Sequence, residues 1–220
     1  MVIPNDKLKE LEKFFWSLKR ETIEEYIEYW DSVTPITPKD IFNRWIFASM
    51  SIHTSYELNV LQYKAIQKLK GKTNLKEISK CLKGGGMQNR KAQLVVNICK
   101  NKAHMKLPKE ECLEMPTWRA WRKQMNDLLW GIGKAKISFV AEMLSPSTTD
   151  IVCLDRHILK AFGQDRESSP KEEDYHMMED IWLDMSYKTY CPPAIARFIY
   201  WDNRIQNEPN SRYWSKTLEQ

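Results

Sequence analysis

The sequence predicts an all-α fold, and three observations support this. Apolar residues recur at the helical spacing i, i+3, i+4, i+7 in segments spread along the chain. No run of alternating polar and apolar residues is long enough to predict a sheet. Five of the seven glycines fall in two short stretches, 84–86 and 131–133, each between amphipathic segments. We therefore expect helices joined by glycine turns.

The predicted helices follow in chain order. Charged and aromatic residues at 5–31 indicate one or two helices. Pro35 and Pro38 then mark a break and a helix start. Four further segments each carry one apolar face: Phe42, Trp45, Ile46 and Ser49; Ala92, Val95, Val96 and Cys99; Trp118, Trp121, Met125, Leu128 and Leu129; Ile137, Val140, Ala141 and Leu144.

Length and charge narrow the class of protein. A chain of 220 residues can bury a full core, as one domain or as two lobes that share a cleft. The net charge of +5, from 34 Lys and Arg against 29 Asp and Glu, permits nucleic-acid binding without requiring it. The apolar runs are shorter than the roughly 18 residues that a membrane span needs. The first residues lack the apolar core of a signal peptide, so we expect a cytoplasmic protein, nucleoid-associated if prokaryotic.

The cysteines and histidines give no sign of a metal site. The five cysteines (81, 99, 112, 153 and 191) are scattered and include no CxxC pair. An odd number without such spacing is typical of reduced thiols in a reducing compartment. The four histidines (53, 104, 157 and 176) form no HxxxH pair. We therefore expect no metal and no cofactor.

The stretch GIGKAK at 131–136 predicts a tight turn between two helices. One helix should end at about Leu129 and the next should begin at about Lys134. The N–H groups of Gly131, Gly133 and Lys134 would then lie at a helix N-terminus, where they and the helix dipole suit a phosphate oxygen. Ile132 would fix the turn by packing between the helices. An ordinary αα-hairpin uses glycine in the same way, so the hairpin alone leaves both interpretations open.

The stretch DIVCLDRHILKAFG at 150–163 begins with an apolar run that predicts burial. Asp155 follows it where a helix is expected to start, and the commonest use of Asp there is as an N-cap. This Asp also follows Gly133 by 22 residues. A glycine hairpin followed at that distance by Asp is a combination that occurs in a known superfamily.

GIGKAKISF and CLDRHILKAF resemble the hairpin and Asp-x-His segments of the helix-hairpin-helix/Gly-Pro-Asp superfamily of DNA glycosylases. The nearest likeness is to archaeal-type 8-oxoguanine DNA glycosylases. Three further stretches resemble the family more weakly: RWIFASMSIHTSYELNV, ISKCLKGGGMQNRKAQLVVNIC and RFIYWDNRI. The resemblance covers about residues 38–205, and 129–163 is its specific part.

The resemblance implies an enzyme that binds double-stranded DNA as a monomer, with no membrane, and flips a damaged or modified base out of the helix. It places the catalytic carboxylate on Asp155, which would stabilise positive charge on the sugar. It gives His53 the role of a wedge in the DNA stack. The residues it implies in DNA binding are Gly131, Ile132, Gly133, Lys134, His53, Gly86, Asn89, Lys91, Arg156 and His157.

The resemblance also implies two lobes on either side of a DNA-binding cleft. The first is a helical-barrel lobe at 32–144 that ends in the helix-hairpin-helix. The second joins residues 1–31 to 145–220 and carries the catalytic Asp.

One position departs from the family pattern. Members that also nick DNA carry a lysine two residues after the second hairpin glycine, where this chain has Ala135. Counting back from Asp155 points instead to Lys136. We favour the hairpin count, because the turn fixes the helix that follows while the loop before Asp155 can absorb a residue. A monofunctional glycosylase that uses water is therefore expected, with Lys134 on a phosphate, and a Lys136 Schiff-base lyase is the alternative.

A second class of function uses the same motifs. The hairpin can hold DNA in a protein that is not an enzyme, with Asp155 serving only as a helix cap. The motifs do not specify the base either. Oxidised purine is the nearest analogy, while uracil, an alkylated base, mismatched thymine or a modified pyrimidine of phage DNA stay open, as does the choice between repair and phage defence.

Overall fold

The computed structural model describes residues 2–69, 74–105, 118–164 and 170–203. Within these ranges the chain forms eleven α-helices and a short 3₁₀ turn at Lys102–His104, and it contains no strand. The predicted all-α fold is confirmed. The helices are α1 (Asn5–Trp16), α2 (Arg20–Ser32), α3 (Pro38–Met50), α4 (Tyr56–Gln67), α5 (Leu75–Cys81), α6 (Gln88–Lys100), α7 (Trp118–Leu128), α8 (Lys134–Leu144), α9 (Arg156–Ala161), α10 (Glu172–Lys188) and α11 (Pro193–Trp201).

The chain divides into two compact units. Unit 1 takes the described residues before Pro35 and those from Ala141 onward, and unit 2 takes those from Pro35 to Val140. The division falls inside α8. None of the helices in the described ranges is long and apolar enough to cross a membrane.

The core of unit 1 is aromatic. Trp30 of α2 stacks on Phe198 of α11 with ring centroids 4.0 Å apart, and Phe15 of α1 meets Trp182 of α10 edge to face at 4.9 Å. Such ring pairs stabilise the fold beyond what the burial of their apolar surface contributes. The N-terminal segment, for which the sequence predicted one or two helices, forms two, α1 and α2.

Unit 2 begins with the predicted helix start. Thr37 caps α3 with a reciprocal bond to Asp40, and Pro38 occupies the first turn, where its missing N–H has no helical partner to lose. All four residues of the predicted α3 face are buried. Trp45 lies beside Trp121 of α7 with centroids 5.6 Å apart, which joins the start of this unit to its hairpin.

The predicted face of α6 needs a correction. Ala92 and Val95 are buried, but Val96 and Cys99 are only half-buried. Leu94 and Ile98 take the interior positions instead. These side chains remove more apolar area from water than Val and Cys do, so the helix turns them toward the core. The other predicted faces lie inward, with Trp118 and Leu128 of α7 half-buried at the edge.

Candidate active site

The glycine hairpin forms where the sequence predicted it, between the end of α7 at Leu128 and the start of α8 at Lys134. Gly131 has φ +88°, a conformation that disfavours any residue with a β-carbon. Ile132 is buried, as expected for a side chain that fixes the turn. Below the turn, the buried guanidinium of Arg122 on α7 donates to Ser138 Oγ on α8 at 2.9 Å. The two helices are thus held in one geometry.

Gly133 differs from Gly131. Its φ lies outside the left-handed region, and a β-carbon added to it would meet no atom of the described residues within 4 Å. It is exposed, and its carbonyl accepts from the N–H groups of Lys136 at 3.0 Å and Ile137 at 3.2 Å, which opens α8. Nothing inside the described part of unit 2 requires glycine here. Glycine is accepted at the N-cap position that Gly133 occupies, and its missing β-carbon also leaves the backbone open to close approach by an external group.

Asp155 follows a segment outside any helix, 151–154, whose four side chains are buried. Its Oδ1 accepts from the N–H groups of His157 at 2.9 Å and Ile158 at 3.1 Å, so it is the N-cap of α9. The residue itself is only half-buried. Within the described residues of unit 1, no group donates a hydrogen bond to Oδ2. One carboxylate oxygen therefore fixes the side chain while the other stays available.

Buried side chains hold the segment that leads to Asp155. Glu179 Oε1 of α10 accepts from Val152 N–H at 2.9 Å, and Glu142 Oε1 of α8 accepts from Cys153 N–H at 2.8 Å. Tyr175 of α10 donates to the carbonyl of Val152 at 2.8 Å and accepts from Leu154 N–H at 3.2 Å. A segment outside any helix needs such partners when it is buried. These bonds fix the direction in which Asp155 enters α9.

Glu142 is also part of a buried ion pair. Its Oε2 lies 2.6 Å from Nε of Arg197 on α11, and both side chains are almost completely buried. Burial raises the pKa of Glu142 to about 7, against the charge of Arg197 and the Cys153 N–H, which lower it; the charge of Asp155 raises it further. The pair therefore connects α8, α11 and the segment before Asp155 in unit 1.

Arg156 and His157, both predicted DNA contacts, follow Asp155 directly and are exposed. The His157 ring packs edge to face against Trp201 of α11, with centroids 4.8 Å apart. Unit 1 thus brings a carboxylate, a guanidinium and an imidazole together at the start of α9. The segment ends at Gly163, which terminates α9 with φ +74°.

The first turn of α8 carries two lysines, Lys134 and Lys136, on either side of Ala135. Ala135 is half-buried in this first turn. Nζ of Lys136 lies 5.7 Å from the centroid of the Phe139 ring. The charge of Lys136 also acts on Lys91 of α6: burial chiefly, and then Lys136, lower the pKa of Lys91 to about 8. Two amines therefore lie near each other in unit 2.

The other predicted DNA contacts of unit 2 lie on the 51–55 loop, on the glycine turn at 84–86 and at the start of α6. His53 is exposed with φ +47°, and Gly86 lies against it, since a β-carbon there would be 3.2 Å from His53 O. Asn89 is exposed and accepts from Ser79 Oγ at 3.3 Å. Lys91 is placed otherwise than expected of a DNA contact: it is 1% exposed, and its ammonium donates to Thr54 Oγ1 inside unit 2.

Sequence reasoning missed the buried residues that support Asp155, namely Glu142, Tyr175, Glu179 and Arg197. A signal for two of them was present. Glu142 lies within the apolar run SFVAEML and Arg197 within PAIARFIY. A charged residue inside an apolar helical run is seldom buried unless it is paired with an opposite charge. A Glu and an Arg in two such runs therefore indicate an internal ion pair.

The described residues contain no group of three or more His, Cys, Asp or Glu side chains that could hold a metal ion. Cys112, counted among the scattered thiols, lies outside the described residues, as do Arg204 and Ile205 of the RFIYWDNRI stretch.

Comparison with known proteins finds similar structures but no similar sequence. No protein-family model matches the chain, and no curated protein matches it. Solved structures with a similar fold include 8-oxoguanine DNA glycosylases from two organisms. The 8-oxoguanine DNA glycosylase of Thermotoga maritima has a TM-score of 0.71 at 18% identity, over 90% of this chain and 97% of that one. The enzyme of Methanocaldococcus jannaschii has a TM-score of 0.68 at 18% identity, over 90% and 93% of the two chains.

A third structure shows the Methanocaldococcus jannaschii 8-oxoguanine glycosylase/lyase in complex with a 15mer DNA containing 8-oxoguanine. Its TM-score is 0.66 at 19% identity, over 90% of this chain and 95% of that one. These likenesses agree with the resemblance seen in the sequence. The chain has the all-α, helix-hairpin-helix fold of the 8-oxoguanine DNA glycosylases.

Proposed function

We propose that this protein is a DNA glycosylase that flips a damaged or modified base out of duplex DNA and hydrolyses its N-glycosidic bond. The observation that carries the proposal is the placement of Asp155. Its Oδ1 caps α9 and its Oδ2 accepts no hydrogen bond within the described part of unit 1. The DNA complex of a protein with the same fold supports damaged DNA as the ligand.

The chemistry needs an anion at a fixed place. As the bond from the base nitrogen to C1′ breaks, the base leaves with the electron pair and positive charge develops on the sugar. A carboxylate held beneath C1′ stabilises that charge without having to reorganise. Buried hydrogen bonds on 152–154 supply the rigidity, because they fix the chain just before Asp155.

Water completes the reaction in the form that we favour. Its oxygen bonds to C1′, and one of its protons passes to the Asp155 carboxylate and from there, through solvent, to the departing base. The products are the neutral base and an abasic site, and Asp155 is again ionised. The hairpin at 131–134 would bind the backbone through phosphate contacts, with exposed Gly133 permitting close approach. Asn89, Arg156 and His157 are proposed as further DNA contacts.

Lys136 is the alternative nucleophile, in a reaction that also nicks DNA. Successive residues of a helix point about 100° apart, so Lys136 does not take the place of Ala135 automatically. Nζ of Lys136 lies 5.7 Å from the centroid of the Phe139 ring, and its charge acts on the buried ammonium of Lys91.

Borohydride separates the two mechanisms. We expect no covalent protein–DNA adduct when borohydride is added during turnover of a good substrate, since water leaves no Schiff base to reduce. An adduct that forms with the wild type and is abolished in Lys136→Ala would establish the lyase instead. Lys134→Ala is the matched control, because it removes a neighbouring lysine from the same helical turn.

A panel of duplex oligonucleotides tests the proposed function. The duplexes carry 8-oxoguanine, uracil, an alkylated base, mismatched thymine or a modified pyrimidine of phage DNA, and strand breaks are scored with and without alkali. We expect one class to give breaks only after alkali, which marks an abasic site. Binding to every duplex without release of any base would show a DNA-binding protein that is not an enzyme, with Asp155 serving as a cap only.

A further inference from the structure

The loop at 51–55 carries an exposed residue in an unfavourable backbone conformation. His53 has φ +47°, in the left-handed region that residues with a β-carbon seldom adopt. Its side chain is exposed, so no burial of the imidazole offsets the strain. Strain of this kind persists only where the surrounding structure enforces it.

Two hydrogen bonds enforce it here. Thr54 Oγ1 donates its one proton to the carbonyl of Ile52 at 2.9 Å, which closes the chain across His53. The lone pairs that remain on this hydroxyl accept from Nζ of Lys91 on α6. A continuous series of bonds therefore runs from the interior of unit 2 to both residues that flank His53.

The neighbouring glycine turn supports the loop from another side. A β-carbon at Gly86 would lie 3.2 Å from His53 O and 3.3 Å from His53 Cβ, which is closer than most such contacts. Gly86 therefore leaves room for the backbone of His53 in its strained position. Loop and turn, both in unit 2, fit together around this one residue.

A buried lysine is energetically unfavourable when its role is only structural. Its side chain is 1% exposed, and burying an ammonium carries a large desolvation penalty. A methionine would fill a similar space on α6 without that penalty. This desolvation penalty has a reason if His53, which the ammonium holds through Thr54, contacts a ligand.

We propose that Lys91 is a positioning residue, whose buried ammonium acts through Thr54 to hold His53 in the conformation that presents its imidazole to the DNA stack. This role replaces the direct DNA contact expected for Lys91. The inference rests on the proposed glycosylase function. A wedge matters only when a base must leave a stacked duplex, so its loss should spare single-stranded substrate.

The test compares one modified base in a duplex and in a single strand. Single-turnover rates of base release are measured for the wild type, Lys91→Met, Thr54→Val and His53→Ala. We expect each variant to be about 10- to 100-fold slower on duplex, since unstacking costs a few kcal/mol, and within about 2-fold of the wild type on single strand. Lys100→Met, an exposed lysine on the same helix, is the control and should not change the ratio of the two rates.

The double variant Lys91→Met/His53→Ala should be no slower on duplex than His53→Ala alone, because both changes act on one element. Equal slowing of Lys91→Met on both substrates would show a merely structural role and overturn the proposal. Thr54→Val, compared on the same two substrates, decides the question if Lys91→Met does not fold. A wild type that releases no base from either substrate would instead refute the proposed function, and this inference with it.

Discussion

The two candidate regions, the hairpin at 131–136 and the approach to Asp155 at 151–155, are built in opposite ways. The hairpin offers backbone at the surface: Gly133 is exposed and has open space where a side chain would be. The Asp155 segment is buried, and side chains from α8 and α10 satisfy its N–H groups. The hairpin depends on the missing side chain of glycine. The Asp155 segment depends on side chains from helices that are distant in the sequence.

This difference separates two kinds of sensitivity. Changes at the exposed Gly133 of the hairpin should alter binding and leave stability intact. Changes around the Asp155 segment should alter stability unless they preserve its hydrogen bonds. A variant that mixes these effects would show that the two regions are less distinct than their structures indicate.

The largest effect is expected for Arg197→Met, which leaves Glu142 buried without its cation. Removing one partner of a buried ion pair costs about 3–5 kcal/mol, because the other charge stays desolvated. We expect this loss of unfolding free energy at pH 8 in chemical denaturation. Lys188→Met on α10, which breaks an exposed pair with Asp184, should change the unfolding free energy by less than about 1 kcal/mol.

The Arg197→Met loss should shrink as pH falls. The pKa of Glu142 is about 7 in the folded wild type and near 4.5 when unfolded, so the stability it contributes is complete below pH 4.5 and is lost as pH rises through 7. Without Arg197 the folded pKa rises further, and below it the neutral acid needs no cation. A loss equal at pH 5.5 and pH 8 would mean that Glu142 does not take up a proton.

The next effect is expected for Asp155→Asn, which removes the charge and keeps the cap. Asn caps helices about as well as Asp, so the melting temperature should stay near that of the wild type. Base release should fall by at least roughly 10²-fold in single-turnover assays, while the Kd for duplex DNA changes little. Unchanged base release would refute the catalytic role, and Asp155 would then be a cap alone.

The same contrast explains how far the sequence could predict this protein. The hairpin was predictable because its signals are local: two glycines, an apolar residue between them, and amphipathic helices on each side. Asp155 was found through its distance from Gly133 and the family resemblance. Its cap could be expected from residue type alone.

The supports of Asp155 could not be predicted in the same way. Glu179 lies 27 residues from Val152, and Arg197 lies farther still from Glu142. Which charges meet depends on the packing of α8, α10 and α11. Lys91 is a similar case, because its place in the sequence suggested DNA while its ammonium lies inside unit 2. The two lobes, 32–144 and 1–31 with 145–220, stay a prediction.

The smallest effects are expected within the hairpin, where Gly131→Ala and Gly133→Ala can be compared. Gly131 needs its left-handed φ, so alanine there should lower the unfolding free energy by about 1–2 kcal/mol. Gly133 has neither strain nor neighbours, so alanine there should leave stability unchanged or slightly higher. If a phosphate approaches its backbone, Gly133→Ala should still weaken binding to all duplexes alike, because phosphate contacts carry no base information. Fluorescence anisotropy with two unrelated sequences measures this, and a stable variant with wild-type affinity would make the hairpin an ordinary turn.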